Sequence, residues 1–151
     1  MKENRRNRQS HRSGMTLIEV MIVLLILATM AGLGVFAFRG QMERGRRLTA
    51  FNYVNELAGY IDMFEANVGR PPTNEEGLAA LVHCPAGMSE GKWGGPYIKS
   101  KAVAVDPWKN PYQYSCPGKD GQEFSIWSFG PDGADGTSDD IGSWMSSLDD
   151  E

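Results

Sequence analysis

Four carboxylates crowd into the stretch Ser128–Trp144, SFGPDGADGTSDDIGSW: Asp132, Asp135, Asp139 and Asp140. Gly130, Gly133 and Gly136 let the chain curl around them. Carboxylates packed this closely repel unless they are protonated, solvated or bound to a cation. Hard oxygen donors without His or Cys favour calcium over zinc or copper. The D-x-D-x-D-G register and closing Glu of an EF-hand are missing. Spacing alone leaves a calcium loop and a solvated acidic loop both open.

A second carboxylate stands where apolar residues are expected. Glu19 lies near the start of the run Met15–Phe38, in which 19 of 24 residues are apolar. As a helix that run spans about 36 Å, enough for a ~30 Å hydrocarbon core. Intramembrane carboxylates usually mark a function and a partner. A cut after Gly14 would give Met15 a new α-amine four residues before Glu19. The amine and carboxylate would pair within one chain, or between neighbouring chains and so set the register of a helical stack. Either pairing relieves the desolvation of an isolated Glu19. The competing reading is a Glu19 that simply snorkels to the headgroups.

These groups need elements to hold them. Residues 1–14 carry Lys2, Arg5, Arg6, Arg8 and Arg12 against Glu3, a net +4. This basic leader predicts an N-terminus held in the cytoplasm. The apolar run is too long for a cleaved secretory signal and lacks an A-x-A site. The leader hides the acidity of the rest, because the whole chain is at −4. So acidic a remainder is a poor match for nucleic acid, which demands clustered Lys and Arg.

Beyond Phe38, Leu48, Phe51, Val54, Leu57, Ile61, Phe64 and Val68 recur at helical spacing and predict one amphipathic continuation over residues 39–68. Arg39, Glu43, Arg44, Arg46 and Arg47 form a collar at the membrane exit. Gly69 and Pro71-Pro72 stop the helix, which would be about 80 Å long from Met15. Gly32, Gly34, Gly45 and Gly59 weaken it by about 1 kcal/mol each.

The remaining residues, 69–151, read as a small head. Thr73 followed by Glu76 is a capping box before a short helix, Asn74–Val82. Apolar segments near Tyr97–Ile98, Tyr112–Ser115 and Phe124–Ser128 predict a small antiparallel sheet. Asp149–Glu151 are expected to fray. Cys84 and Cys116 fit no metal spacing. An even count behind an export-type N-terminus suggests one Cys84–Cys116 disulfide, worth roughly 3–4 kcal/mol over about 32 residues; two buried thiols are the alternative. Trp93, Trp108, Trp127 and Trp144 read as core and loop anchors rather than a carbohydrate platform. No catalytic constellation is visible: His83 beside Cys84 lacks an orienting partner, and His11 lies in the leader.

Gly14-Met15-Thr16-Leu17-Ile18-Glu19-Val20 resembles the class III signal of type IV pilins and pseudopilins. The resemblance implies cleavage after Gly14 by a prepilin peptidase, N-methylation of the new terminus, and an assembly role for Glu19. Met15 stands where the family usually has Phe, and Phe36 where many relatives have Pro. Gly32 and Gly34 are candidates to supply the softness of that proline. RPPTNEEGLAAL, WGGPYI, DPWKNPYQY and FSIWSFGPDGADGTSDDIGSW resemble one branch, the major pseudopilins of type II secretion systems. That branch binds calcium in its final loop. Carried over by position, Asp132, Asp139 and Asp140 would give side-chain oxygens, and Phe129 and Thr137 backbone oxygens; Asp135 falls at a non-acidic position. Glu76 replaces the usual Gln, and Lys109 the usual Gly, where the turn is expected to differ.

The resemblance implies an α+β, type IV pilin-like fold, with a long N-terminal helix packed on a small antiparallel β-sheet head. It implies a single-pass inner-membrane protein with a periplasmic head that polymerises into a pseudopilus. Implied partners are minor pseudopilins, the prepilin peptidase, an inner-membrane platform with its assembly ATPase, and an outer-membrane secretin. A surface pilin for adhesion, motility or DNA uptake shares the N-terminus, but typically closes its C-terminal loop with a disulfide. A calcium-binding anchor that never polymerises is the other rival.

Overall fold

The structure, a computed structural model, describes residues 14–148, apart from the side chains of residues 31–39 and of Asp120. The leader with His11, the side chains of Arg39 and Phe36, the glycine pair Gly32 and Gly34, and the tail Asp149–Glu151 lie outside the described residues. The chain divides into two units, Met1–Gln41 and Met42–Glu151.

Helix α1 (Leu17–Val68) starts in the first unit. Thr16 caps it: the Glu19 amide donates to the Thr16 hydroxyl at 3.3 Å and to its carbonyl at 3.1 Å. Glu19 is therefore the third helical residue, at the spacing of a capping box, where negative charge complements the helix dipole. That is a local reason for a carboxylate here. The described apolar side chains from Leu17 to Met30, including Ile18, Leu24 and Leu25, are exposed. Among the described residues no helix is long and apolar enough to cross a membrane. Residues 31–38 of the expected span are outside the described side chains.

In the second unit α1 carries the predicted stripe. Val54, Leu57, Ile61, Phe64 and Val68 are buried at alternating spacings of three and four. They meet Leu78, Leu81, Trp93, Ile98, Tyr112 and Ile126 in one cluster. The stripe begins at Ala50 and not at Leu48, which is 51% exposed. The Gly69 amide closes the helix onto the Glu65 carbonyl at 2.7 Å, and Pro71-Pro72 come directly after.

The capping box forms as predicted. Thr73 donates its amide to the Glu76 carboxylate at 2.7 Å, and the Glu76 amide donates to the Thr73 hydroxyl at 3.3 Å. The box leads into a 3₁₀ turn, Gly77–Leu81, in place of the expected α-helix over 74–82. Gly77 at φ +53° interrupts the α-helical path. Next come the one-turn helix α2 (Glu90–Trp93) and strands β1 (Gln113–Ser115), β2 (Ser125–Ser128) and β3 (Ile141–Gly142). The sheet is antiparallel in the order β1-β2-β3. Tyr97–Ile98, expected as a strand, is irregular: both amides donate to the Leu81 carbonyl, at 3.0 and 3.1 Å. The third strand is β3, whose two residues include a glycine and are too short to show alternation.

The expected Cys84–Cys116 disulfide does not form; both residues are free and half-buried. The Cys84 thiol donates to the Met88 carbonyl at 3.3 Å. Asn74 grips Cys116 on both backbone groups, accepting from its amide at 2.7 Å and donating to its carbonyl at 2.8 Å. Each cysteine is thus held in its own hydrogen-bonded setting, without covalent closure.

Val105 bridges Pro111 across a tight loop. Within it Lys109 has φ +76°, the one positive φ outside glycine among the described residues. The departure from Gly therefore falls on a left-handed position that favours glycine, where a side chain costs about 1 kcal/mol. Lys109→Gly should raise stability by about 0.5–1 kcal/mol, read as a higher urea midpoint at unchanged slope.

Candidate functional site

The acidic loop joins β2 to β3. Gly130 opens it at φ +66°, and a β-carbon there would collide with the Asp139 carbonyl. The two ends of the loop meet at this point, so only glycine fits. Asp132 donates its amide to the Asp139 carboxylate at 3.2 Å, and its own carboxylate accepts the Ala134 amide at 2.8 Å. Thr137 donates its hydroxyl to Asp139 at 2.7 Å, which with the Asp132 amide holds the Asp139 carboxyl below its ordinary range. Asp140 is buried and accepts the Gly136 amide through Oδ2 at 2.8 Å. Its Oδ1 is buried without a hydrogen-bond partner. Burial pushes its carboxyl up, against the Gly136 hydrogen bond.

Asp132, Thr137, Asp139 and Asp140 are thus linked within one loop, and Phe129 stands half-buried at its entrance. The donors are all oxygen, and the orphaned Asp140 Oδ1 is the atom most in need of a partner. This donor chemistry suits a hard cation. Among the described residues no group of three or more His, Cys, Asp or Glu side chains stands at metal-holding spacing. Asp135, which the family pattern leaves outside the ligand set, is engaged elsewhere: its Oδ1 accepts the Trp127 indole at 2.9 Å and the Lys119 ammonium at 3.2 Å.

Sequence reasoning missed the residue that anchors the loop. Asp106 is 3% exposed. Its Oδ1 accepts the amides of Trp108 at 3.0 Å and Asn110 at 2.7 Å, and its Oδ2 the Ser128 hydroxyl at 2.6 Å. Ser128 in turn accepts the Gly130 amide at 3.1 Å. One buried carboxylate therefore shapes the DPWKNP turn and fixes the entrance of the acidic loop. The available signal was Asp followed by Pro and then Asn, an Asx-turn composition. The tryptophans act as anchors: Trp93 donates to the Ala80 carbonyl at 2.8 Å and Trp108 to Glu43 at 3.0 Å, and Trp144 lies 6.2 Å from Trp127.

At the other end of the chain, Gly14 and Met15 precede α1 and are exposed, as is Glu19.

An N-terminal methylation signal ahead of a helix that packs on a three-stranded head defines the type IV pilin-like class. The model of the prokaryotic N-terminal methylation motif matches residues 9–35, and that of type II secretion system protein G matches residues 37–144. The chain belongs to the type II secretion system protein G family. It is 42% identical over 135 residues to a type II secretion system core protein G of Aeromonas hydrophila, covering 88% of this chain and 92% of that one. A relative of the same description from Pseudomonas aeruginosa is 38% identical over 136 residues, covering 88% and 95%. The fold matches the crystal structure of the major pseudopilin from the type 2 secretion system of enterohaemorrhagic Escherichia coli at a TM-score of 0.59 and 34% identity, over 70% of this chain and 87% of that one.

One departure from the family motif has a structural partner. Glu76 pairs with Arg70 through two contacts, at 2.7 and 2.8 Å. That pair, aided by the Thr73 amide, lowers the Glu76 carboxyl to about 2. Its stabilisation is complete above an unfolded pKa of 4.5 and is lost as pH falls toward 2. Arg70 is 43% exposed, so solvent limits the pair to about 1 kcal/mol. Glu76→Gln keeps an acceptor for Thr73 but loses the charge. It should be less stable than the parent by about 1 kcal/mol at pH 7, with the difference closing between pH 5 and pH 2 in denaturant titrations.

Proposed function

We propose that this chain is the structural subunit of the periplasmic pseudopilus of a type II secretion system, polymerising through its N-terminal helix to help export folded proteins across the outer membrane. One observation carries the reading: a single chain joins a pilin-type processing signal to a head whose motifs match protein G of that system from residue 37 to residue 144.

In this reading the chain inserts in the inner membrane with its N-terminus in the cytoplasm and its head in the periplasm. A prepilin peptidase cuts after Gly14, and Met15 becomes the methylated terminus. Glu19 answers the Met15 amine of a neighbouring copy, at a helix start where its charge is already favoured. The exposed apolar residues Leu17–Met30 then pack against other copies instead of lipid. Growth would depend on the inner-membrane platform, its ATPase and the minor pseudopilins, and the filament would act towards the secretin. Deleting the gene should remove specific folded exoproteins from the medium and strand them in the periplasm. Glu19→Ala should reproduce that defect while the protein remains processed and membrane-inserted. An unchanged exoproteome with loss of adhesion, motility or DNA uptake would assign the chain to surface pili.

Calcium is the proposed cofactor of the head. Asp132, Asp139 and Asp140 would hold it through side chains, and Phe129 and Thr137 through carbonyls. The ion would neutralise crowded carboxylates and supply the missing partner of Asp140 Oδ1. Full-length protein in detergent should melt on the order of 10 °C higher with calcium at a hundredfold its dissociation constant than with chelator. Asp140→Asn should abolish most of that shift in differential scanning fluorimetry, and an equal shift in the variant would remove Asp140 from the site.

A further inference from the structure

Lys119 occupies a position the family motifs do not single out. It opens a 3₁₀ turn, Lys119–Gly121, between β1 and β2. Its amide donates to the buried Ser125 hydroxyl at 2.8 Å. Gly118 before it fits because a β-carbon would collide with the Phe124 backbone. The backbone of Lys119 is therefore pinned to the start of β2, and its side chain reaches across the sheet from a fixed origin.

The ammonium lies 4.0 Å from the Trp127 ring centroid and 5.1 Å from that of Trp144. It also stands 3.2 Å from Asp135 Oδ1, the oxygen that accepts the Trp127 indole at 2.9 Å. A cation, two indoles and a carboxylate thus meet at one point, and each pairing is attractive. Asp135 is the middle of the acidic loop, between Asp132 on one side and Asp139 and Asp140 on the other.

We propose that Lys119 is a positioning residue for the acidic loop: its ammonium, seated on Trp127 and Trp144 and paired with Asp135, clasps the middle of the loop to β2 and so fixes the centre of the segment that carries Asp132, Asp139 and Asp140, leaving a divalent cation only the short final approach of those carboxylates to complete. The clasp lowers the ordering cost of binding, which is how pre-organisation raises affinity. It also gives the acidic residue at the loop's centre partners of its own: Asp135 serves Lys119 and the Trp127 indole. The clasp on the middle of the loop stands by itself; the gain in cation affinity rests on the calcium reading.

The test uses the full-length protein in detergent micelles, with Lys119→Met, Lys119→Arg and Asp135→Asn. Endoproteinase Asp-N is added in excess chelator, and cuts are mapped by mass spectrometry. Lys119→Met, which loses the ion pair and both cation–π contacts, should be cut before Asp132 and Asp139 about 5-fold faster than the parent, and Asp135→Asn, which loses the ion pair alone, about 2-fold faster. Lys119→Arg should be cut at the parent rate. Cutting before Asp106, which is buried in the head, reports global unfolding. Equal loop cutting in parent and Lys119→Met overturns the clasp, and so does an increase before Asp106 that matches the increase in the loop. Titrating calcium into the same digests should show half-protection at about 5-fold more calcium in Lys119→Met. A parent that calcium does not protect would sink the calcium reading, while the chelator digests would still decide the clasp.

Discussion

The head depends on burial of one helical stripe. Its strands have three, four and two residues, and so small a sheet cannot hold itself together in water. Val54, Leu57, Ile61, Phe64 and Val68 supply the missing half of the core. Each such side chain contributes about 1.5–3 kcal/mol when fully buried. The surrounding pieces are shaped to meet the stripe. Leu78 and Leu81 come from a tight 3₁₀ turn, Trp93 from a single helical turn, and Ile126 from a strand buried on both faces. Short elements suffice because the helix, and not the sheet, provides the rigid surface.

Two buried carboxylates divide the polar work of the head. Asp106 accepts three hydrogen bonds and is satisfied on both oxygens. A carboxylate so held is a fixed joint, and through Ser128 it sets where the chain enters the acidic loop. Asp140 closes the same loop with one oxygen bonded and the other bare. A buried acceptor without a donor costs about 1–3 kcal/mol. The first carboxylate organises the scaffold; the second concentrates unsatisfied negative charge at its edge, which is the physical requirement for attracting a cation.

Features that depend on neighbours in sequence were legible. The stripe follows from spacing, the Thr73–Glu76 box from two residues three apart, and the helix stop from Gly69 and the prolines. The acidic residues of the loop were legible as a group; only the family resemblance set Asp135 apart from the rest. The illegible features depend on distant pairings. Asp106 reaches Ser128 across 22 positions, and nothing near Asp106 announces that partner. β3 is two residues long and exists only because β2 pairs with it. The disulfide was inferred from a count of two, and a count holds no information about distance; what reaches Cys116 from afar is Asn74, 42 positions away, and it holds the backbone and not the sulfur. Leu48 obeys the helical period yet is exposed, although Glu43 earlier in the helix still meets Trp108; the packed face at that end runs through Ala50, and apolar spacing alone did not place it.

The substitutions within the family motifs follow a single logic. A charged or strained residue is retained where a neighbour compensates it locally. Glu76 stands in for an uncharged Gln, and Arg70 answers it with a two-point contact. Asp135 adds a carboxylate to an already acidic loop, and Lys119 and the Trp127 indole absorb it. Lys109 is the exception, for nothing described offsets its left-handed backbone except the loop that encloses it. That loop is closed by Asp106, which takes amides from both sides of Lys109, at Trp108 and Asn110. A residue in a poor conformation persists because the carboxylate holding its neighbours leaves it no other path.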